Sequence, residues 1–119
     1  MKSNSIRHHT QGTLPPESGR GRLVVVVPVG IADSAVLLRV LAERLRFPDW
    51  FGGNWNALSD CLRDLSWIPE RTVVLWHEEF PPISPADLEL YLELLADSTA
   101  SWKPSDVHRL EVSFPDGKP

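Results

Sequence analysis

Leu23-Val24-Val25-Val26-Val27 is an unbroken apolar run built almost entirely of β-branched side chains. Such side chains are restricted at χ1 and pack well on a pleated surface. With no polar residue alternating in, the run suits a strand covered on both faces, the pattern of a parallel sheet. Thr72-Val73-Val74-Leu75-Trp76 reads the same way. Residues 107–114 instead alternate, with Leu110 and Val112 on one side and Arg109, Glu111 and Ser113 on the other; that is a third strand.

Helical patterns separate these strands. Asp33 or Ser34 caps a first helix, in which Val36, Leu37, Val40, Leu41 and Leu45 recur at helical spacing and Arg39, Glu43, Arg44 and Arg46 face out. Pro48 stops it. A second helix is predicted over residues 55–65. A third begins at Ser84-Pro85, with proline in its first turn, and runs to about residue 100 with Leu88, Tyr91, Leu92 and Leu95 as its core stripe. A short helical turn is predicted at residues 77–80, and residues 67–69 read as a connector. Strands joined through helices require crossovers and a parallel sheet. The expected fold is therefore α/β: a three-stranded parallel sheet flanked by three or four helices.

The 119 residues fit one domain. Residues 1–21, with Pro15-Pro16 and Ser18-Gly19-Arg20-Gly21, have little to bury and are expected to be a flexible N-terminal tail, with residues 22–119 forming the body. His8-His9 has no partner at a metal-ligand spacing, and no metal or other cofactor is expected. The longest apolar run, residues 23–31, is too short to cross a bilayer. There is no signal-like h-region, and Cys61 is the sole cysteine. A cytoplasmic protein is expected.

Charge is unevenly spread. Lys2, Arg7, Arg20 and Arg22 against Glu17 give residues 1–22 a charge of +3, leaving −7 for the rest of a chain whose net charge is −4. Glu78, Glu79, Asp87, Glu89, Glu93 and Asp97 lie between His77 and Trp102 with no lysine or arginine among them. Such a body repels nucleic-acid backbones and attracts basic proteins.

Pro48-Asp49-Trp50-Phe51-Gly52-Gly53-Asn54-Trp55-Asn56-Ala57-Leu58-Ser59-Asp60-Cys61-Leu62 carries the strongest functional signal. Asn54 is a good helix N-cap, and Gly52-Gly53 permits a tight entry with positive φ at one of the two. Trp55, Leu58, Leu62 and Leu65 share one side of the helix. Asn56, Ser59, Asp60 and Arg63 form a polar stripe on another. A solvated face is the plain reading of that stripe; Trp50 and Phe51 just before the glycines favour a recognition surface. Spacing alone leaves both open. Cys61 is either a small buried hydrophobe or a nucleophile, and it falls nearer the buried side. His77 and His108 flank strand ends without a telling carboxylate.

The 48–62 segment, followed by the Thr72 strand, resembles the barstar family, intracellular inhibitors of the secreted ribonuclease barnase. The similarity extends over residues 23–114 and omits the tail. It implies a non-catalytic protein that blocks a guanyl-specific extracellular ribonuclease in a one-to-one complex. By motif position it implies that Trp50 covers the catalytic histidine region, that Gly52, Gly53 and Asn54 shape the entry loop, and that Asp60 occupies the phosphate site. Asp97 best matches an assisting acid on the later helix, with Glu93 in reserve. Two positions depart: the family has an acid where this chain has Asn56 and an aromatic where it has Ser59. Those departures leave a second reading, an immunity or regulatory module for another basic protein.

Overall fold

A computed structural model describes residues 6–117. Four strands, β1 (Ile6–His9), β2 (Arg22–Val27), β3 (Thr72–His77) and β4 (Arg109–Pro115), form one sheet in the order β1-β4-β3-β2, with every neighbouring pair parallel. Three helices, α1 (Ser34–Arg44), α2 (Trp55–Asp64) and α3 (Pro85–Ser101), supply the crossovers. The α/β class and the parallel sheet agree with the sequence; the strand count does not. The fourth strand comes from the segment predicted to be a tail.

Register explains how the layers form. Val25 pairs with Leu75, and Leu75 with Val112, so one face of the sheet is continuous and apolar. Leu37, Leu41 and Leu45 of the α1 region, Leu58, Leu62 and Leu65 of the α2 region, and Tyr91 and Leu95 of α3 all pack into the cluster on that face. The helices therefore lie on one side. The run at residues 23–27 was expected to be covered on both faces, but β2 is an edge strand: Val25 and Val27 are buried, while Val24 and Val26 are half-buried on the other face.

That second face is crossed by the N-terminal segment. β1 and β2 lie at opposite edges, so residues 10–21 must span the sheet. The Val24 N–H donates to Ser18 Oγ at 2.9 Å, and Pro16 shares a shallow cavity with Val74 and Trp76. The His9 ring stacks on Trp76 with centroids 3.7 Å apart and planes 10° from parallel, and its Nδ1 lies 2.5 Å from Ser113 Oγ. Ser113, on the side of β4 opposite Val112, is buried as a result.

Local signals account for most boundaries. Asp33 caps α1, accepting from the Ala35 and Val36 N–H groups, and Ser84 caps α3 ahead of Pro85. The α1 helix ends at Arg44, before Pro48, because the chain turns through Arg46 at positive φ. Glu78 and Glu79 form a bend rather than the predicted helical turn. Strand β4 begins at Arg109, two residues later than predicted. A turn closed by Asp106 N–H to Lys103 O (2.9 Å) and Lys103 N–H to Asp106 Oδ2 (2.7 Å) leaves Val107 in the loop, 78% exposed.

Candidate functional site

The approach to α2 is braced by aromatic rings. Phe51 N–H donates to Pro48 O at 3.0 Å, turning the chain so that Phe51 meets Phe47 at 4.8 Å between centroids. Trp67 stands edge-on to Phe47 (5.9 Å) and to Trp50 (6.4 Å) and donates its Nε1–H to Leu45 O at 2.9 Å. Trp50 thus rests against Trp67 while the residue stays 55% exposed. A tryptophan held in place with its surface open is a contact element that loses little entropy on binding.

Of the two glycines, Gly53 supplies the positive φ, +72°. A Cβ added at Gly52 would meet Asn54 Nδ2 at 3.4 Å, an ordinary contact, so Gly52 is not required sterically. Asn54 Oδ1 accepts the Ala57 N–H at 2.8 Å and closes the first turn. The helix ends at Leu65 in the left-handed region, φ 53°, with its N–H bonded to Cys61 O.

The helix divides as predicted. Leu58, Cys61 and Leu62 are buried, and Trp55 is half-buried, its ring 6.0 Å from that of Tyr91. Asn56, Asp60 and Arg63 are exposed and Ser59 is half-buried. None of these four side chains makes a hydrogen bond or ion pair among the described residues. The stripe thus carries an unpaired carboxylate, an unpaired guanidinium and an amide, all on one rigid helix. Asp97 sits on α3, the helix packed against α2, where it is half-buried and engaged within the chain. Glu93 is exposed one turn earlier.

Nucleophilic chemistry finds no support at Cys61. The residue is fully buried, and burial, with the Asp60 and Asp64 charges adding, pushes its thiol up to about 11. His77 is equally sealed. Its Nδ1–H donates to Ser113 O (3.0 Å), and its Nε2 accepts the Tyr91 hydroxyl (2.7 Å). Those two bonds use the donor and the acceptor of a neutral imidazole. Burial, only partly offset by the Ser113 bond, holds its pKa down to about 3. Among the described residues no three His, Cys, Asp or Glu side chains are grouped to hold a metal ion, and no helix is long and apolar enough to cross a membrane.

A family model, barstar (barnase inhibitor), matches residues 22–114. The chain belongs to the barstar family. The match takes in the entry turn, the α2 stripe and Asp97, and it starts at the first residue of β2. The barstar-like part is therefore the helix-backed three-strand layer β2, β3 and β4, and β1 lies outside it. No curated protein matches the chain.

Sequence reasoning missed the surroundings of Arg63. Beyond it the chain brings Trp102 and His108 next to the end of α2. Trp102 Nε1–H donates to Leu62 O at 2.9 Å, forty residues away, and no local pattern encodes that bond.

Proposed function

We propose that this protein is a non-catalytic inhibitor that binds the active site of a secreted, guanyl-specific ribonuclease one-to-one and blocks it from inside the producing cell. The observation that carries the reading is Asp60. It is an exposed, unpaired carboxylate on a capped helix whose entry turn carries the exposed Trp50. A ribonuclease cleft is cationic because it binds phosphate. A carboxylate presented rigidly there takes the place of a phosphate and accepts charge-assisted hydrogen bonds from arginine and lysine. Family membership supports the partner class. The body's charge of −7 supports fast encounter with a cationic enzyme.

In this reading Trp50 covers one wall of the enzyme's cleft, and Gly52, Gly53 and Asn54 set the angle at which α2 enters. Asn56, Ser59 and Arg63 flank Asp60 along the contact, and Asp97 adds a second acid from α3. Asn56 keeps hydrogen-bonding capacity without charge, and Ser59 is smaller than the aromatic of the family pattern. The target's mouth should differ from barnase accordingly. The test mixes the protein with several ribonucleases of this class and follows RNA cleavage. Stoichiometric inhibition of at least one is expected, and none at micromolar protein would overturn the reading. A pull-down that returns a basic protein other than a nuclease would favour the immunity-module alternative, which Asn56 and Ser59 motivate.

A further inference from the structure

The polar stripe of α2 runs on into a cleft. Arg63, Asp64, Trp102, Asp106, Val107 and His108 line it, around an open volume of about 550 Å³ at the C-terminal ends of α2 and α3. His108 is the anomalous group. It is only 6% exposed, its Nδ1 is sealed without a hydrogen-bond partner, and among the described residues nothing bonds its Nε2. Buried polar groups ordinarily have partners, and one that does not calls for an explanation. Trp102 stands edge-on to it with centroids 5.8 Å apart, fixed by its bond to Leu62 O.

The chemistry of the lining selects an occupant. Asp64 makes no hydrogen bond or ion pair among the described residues, and Asp106, also at the cleft, brings a second carboxylate against the single guanidinium of Arg63. Carboxylates take a guanidinium in a bidentate pair, and a tryptophan beside them favours a cation. For His108 the cheaper tautomer carries its proton on Nε2, because a buried N–H without an acceptor is rarer than an unpaired acceptor. That N–H is then available to a carbonyl. A cation with a carbonyl close by describes an arginine within a polypeptide better than a free ion.

We propose that this cleft receives an arginine of the protein partner and so extends the α2 contact face by one turn. The proposal rests on α2 being the partner-binding surface, but the cleft's chemistry can be tested without the partner. Nα-acetyl-arginine-N-methylamide titrated into the isotope-labelled protein should shift the Trp102 Nε1–H and His108 signals in a saturable way. The neutral citrulline analogue should bind at least three-fold more weakly. Asp64→Asn, an exposed change, should weaken arginine binding at least three-fold with an unchanged melting curve. Equal response to arginine and citrulline, a stronger response to the aspartate analogue, or no response at those signals would overturn it. With any ribonuclease that the wild type inhibits, Asp64→Arg should raise the inhibition constant at least ten-fold; an unchanged constant would remove the cleft from the contact face. If no ribonuclease is inhibited, the proposed function fails, while the titration still decides the cleft.

Discussion

Asp60 and Cys61 are adjacent in the chain and face opposite media. The carboxylate is exposed and unpaired, while the thiol is fully buried against the core. One residue's turn of the helix, about 100°, separates a binding surface from a packing surface. Asp60→Ala should therefore leave the melting temperature within about 2 °C, since surface changes usually stay within ±0.5 kcal/mol. The same change should weaken a ribonuclease complex by at least about 2 kcal/mol, the general hot-spot threshold, which the barnase–barstar pair itself exemplifies. Calorimetric titration alongside thermal melts checks both. Unchanged affinity would move the phosphate-mimic role to another residue.

Cys61 should be chemically silent. With its thiol held up to about 11 by burial and by the neighbouring Asp60 and Asp64 charges, little thiolate exists at neutral pH, and reagent cannot reach it. Labelling by a disulfide-exchange reagent at pH 7.5 should be slow and should accelerate in urea along with unfolding. Rapid labelling of the folded protein would reopen a nucleophilic role.

The entry turn separates two glycines that look equivalent in sequence. Gly53→Ala places a side chain at φ +72° and should cost about 1 kcal/mol of stability, the usual penalty of the left-handed region. Gly52→Ala meets only an ordinary contact with Asn54 and should cost less than half as much. Urea melts of the two variants decide it, and equal losses would mean that Gly52 is also conformationally required.

These contrasts mark what the sequence could and could not reveal. The apolar runs of β2 and β3, the Asn54 cap and the 55/58/62/65 spacing are local, and local physics carried them into the fold. The α2 stripe was readable for the same reason. What it binds is written in the partner's chemistry, so periodicity left it open. β1 could not be read, because Ile6-Arg7-His8-His9 has no strand-like apolar pattern. Its order comes from pairing with β4 and from His9 meeting Ser113, 104 residues away. The Trp102–His108 cleft was hidden likewise, since it depends on the Lys103–Asp106 turn and a bond to α2.

His77 should make the fold acid-sensitive. Its folded pKa is about 3 against an ordinary 6.5. Between those values the unfolded chain binds a proton that the folded chain does not. Stability should be full above about pH 6.5 and fall toward pH 3 by about 1.4 kcal/mol per pH unit from this group alone. Urea melts from pH 4 to 7 on wild type and His77→Gln isolate the term, because the carboxylates are common to both. The wild-type profile should be steeper by one proton. Parallel profiles would mean that His77 takes up its proton without unfolding.

Residues 6–9 should stabilise a sheet that the family match alone would leave three-stranded. Without β1, the outer edge of β4 would present unpaired backbone groups, and Trp76 would lose its stacked ring. Deleting residues 1–10 removes an aromatic pair worth about 0.5–1.5 kcal/mol and hydrogen bonds worth about 0.5–1.5 kcal/mol each. A loss of at least about 2 kcal/mol in urea melts is expected. The bared edge should also promote self-association at high concentration, since an unpaired strand is a template for another chain. Light scattering of the truncated and full chains reads this directly. His9→Ala should reproduce about half of the stability loss without the association, because the strand's backbone pairing remains. If truncation changed neither stability nor association, β1 would be an ornament of the fold; if it weakened ribonuclease inhibition in proportion to stability, its role would be support of α2 through α3, which packs against both β1 and α2.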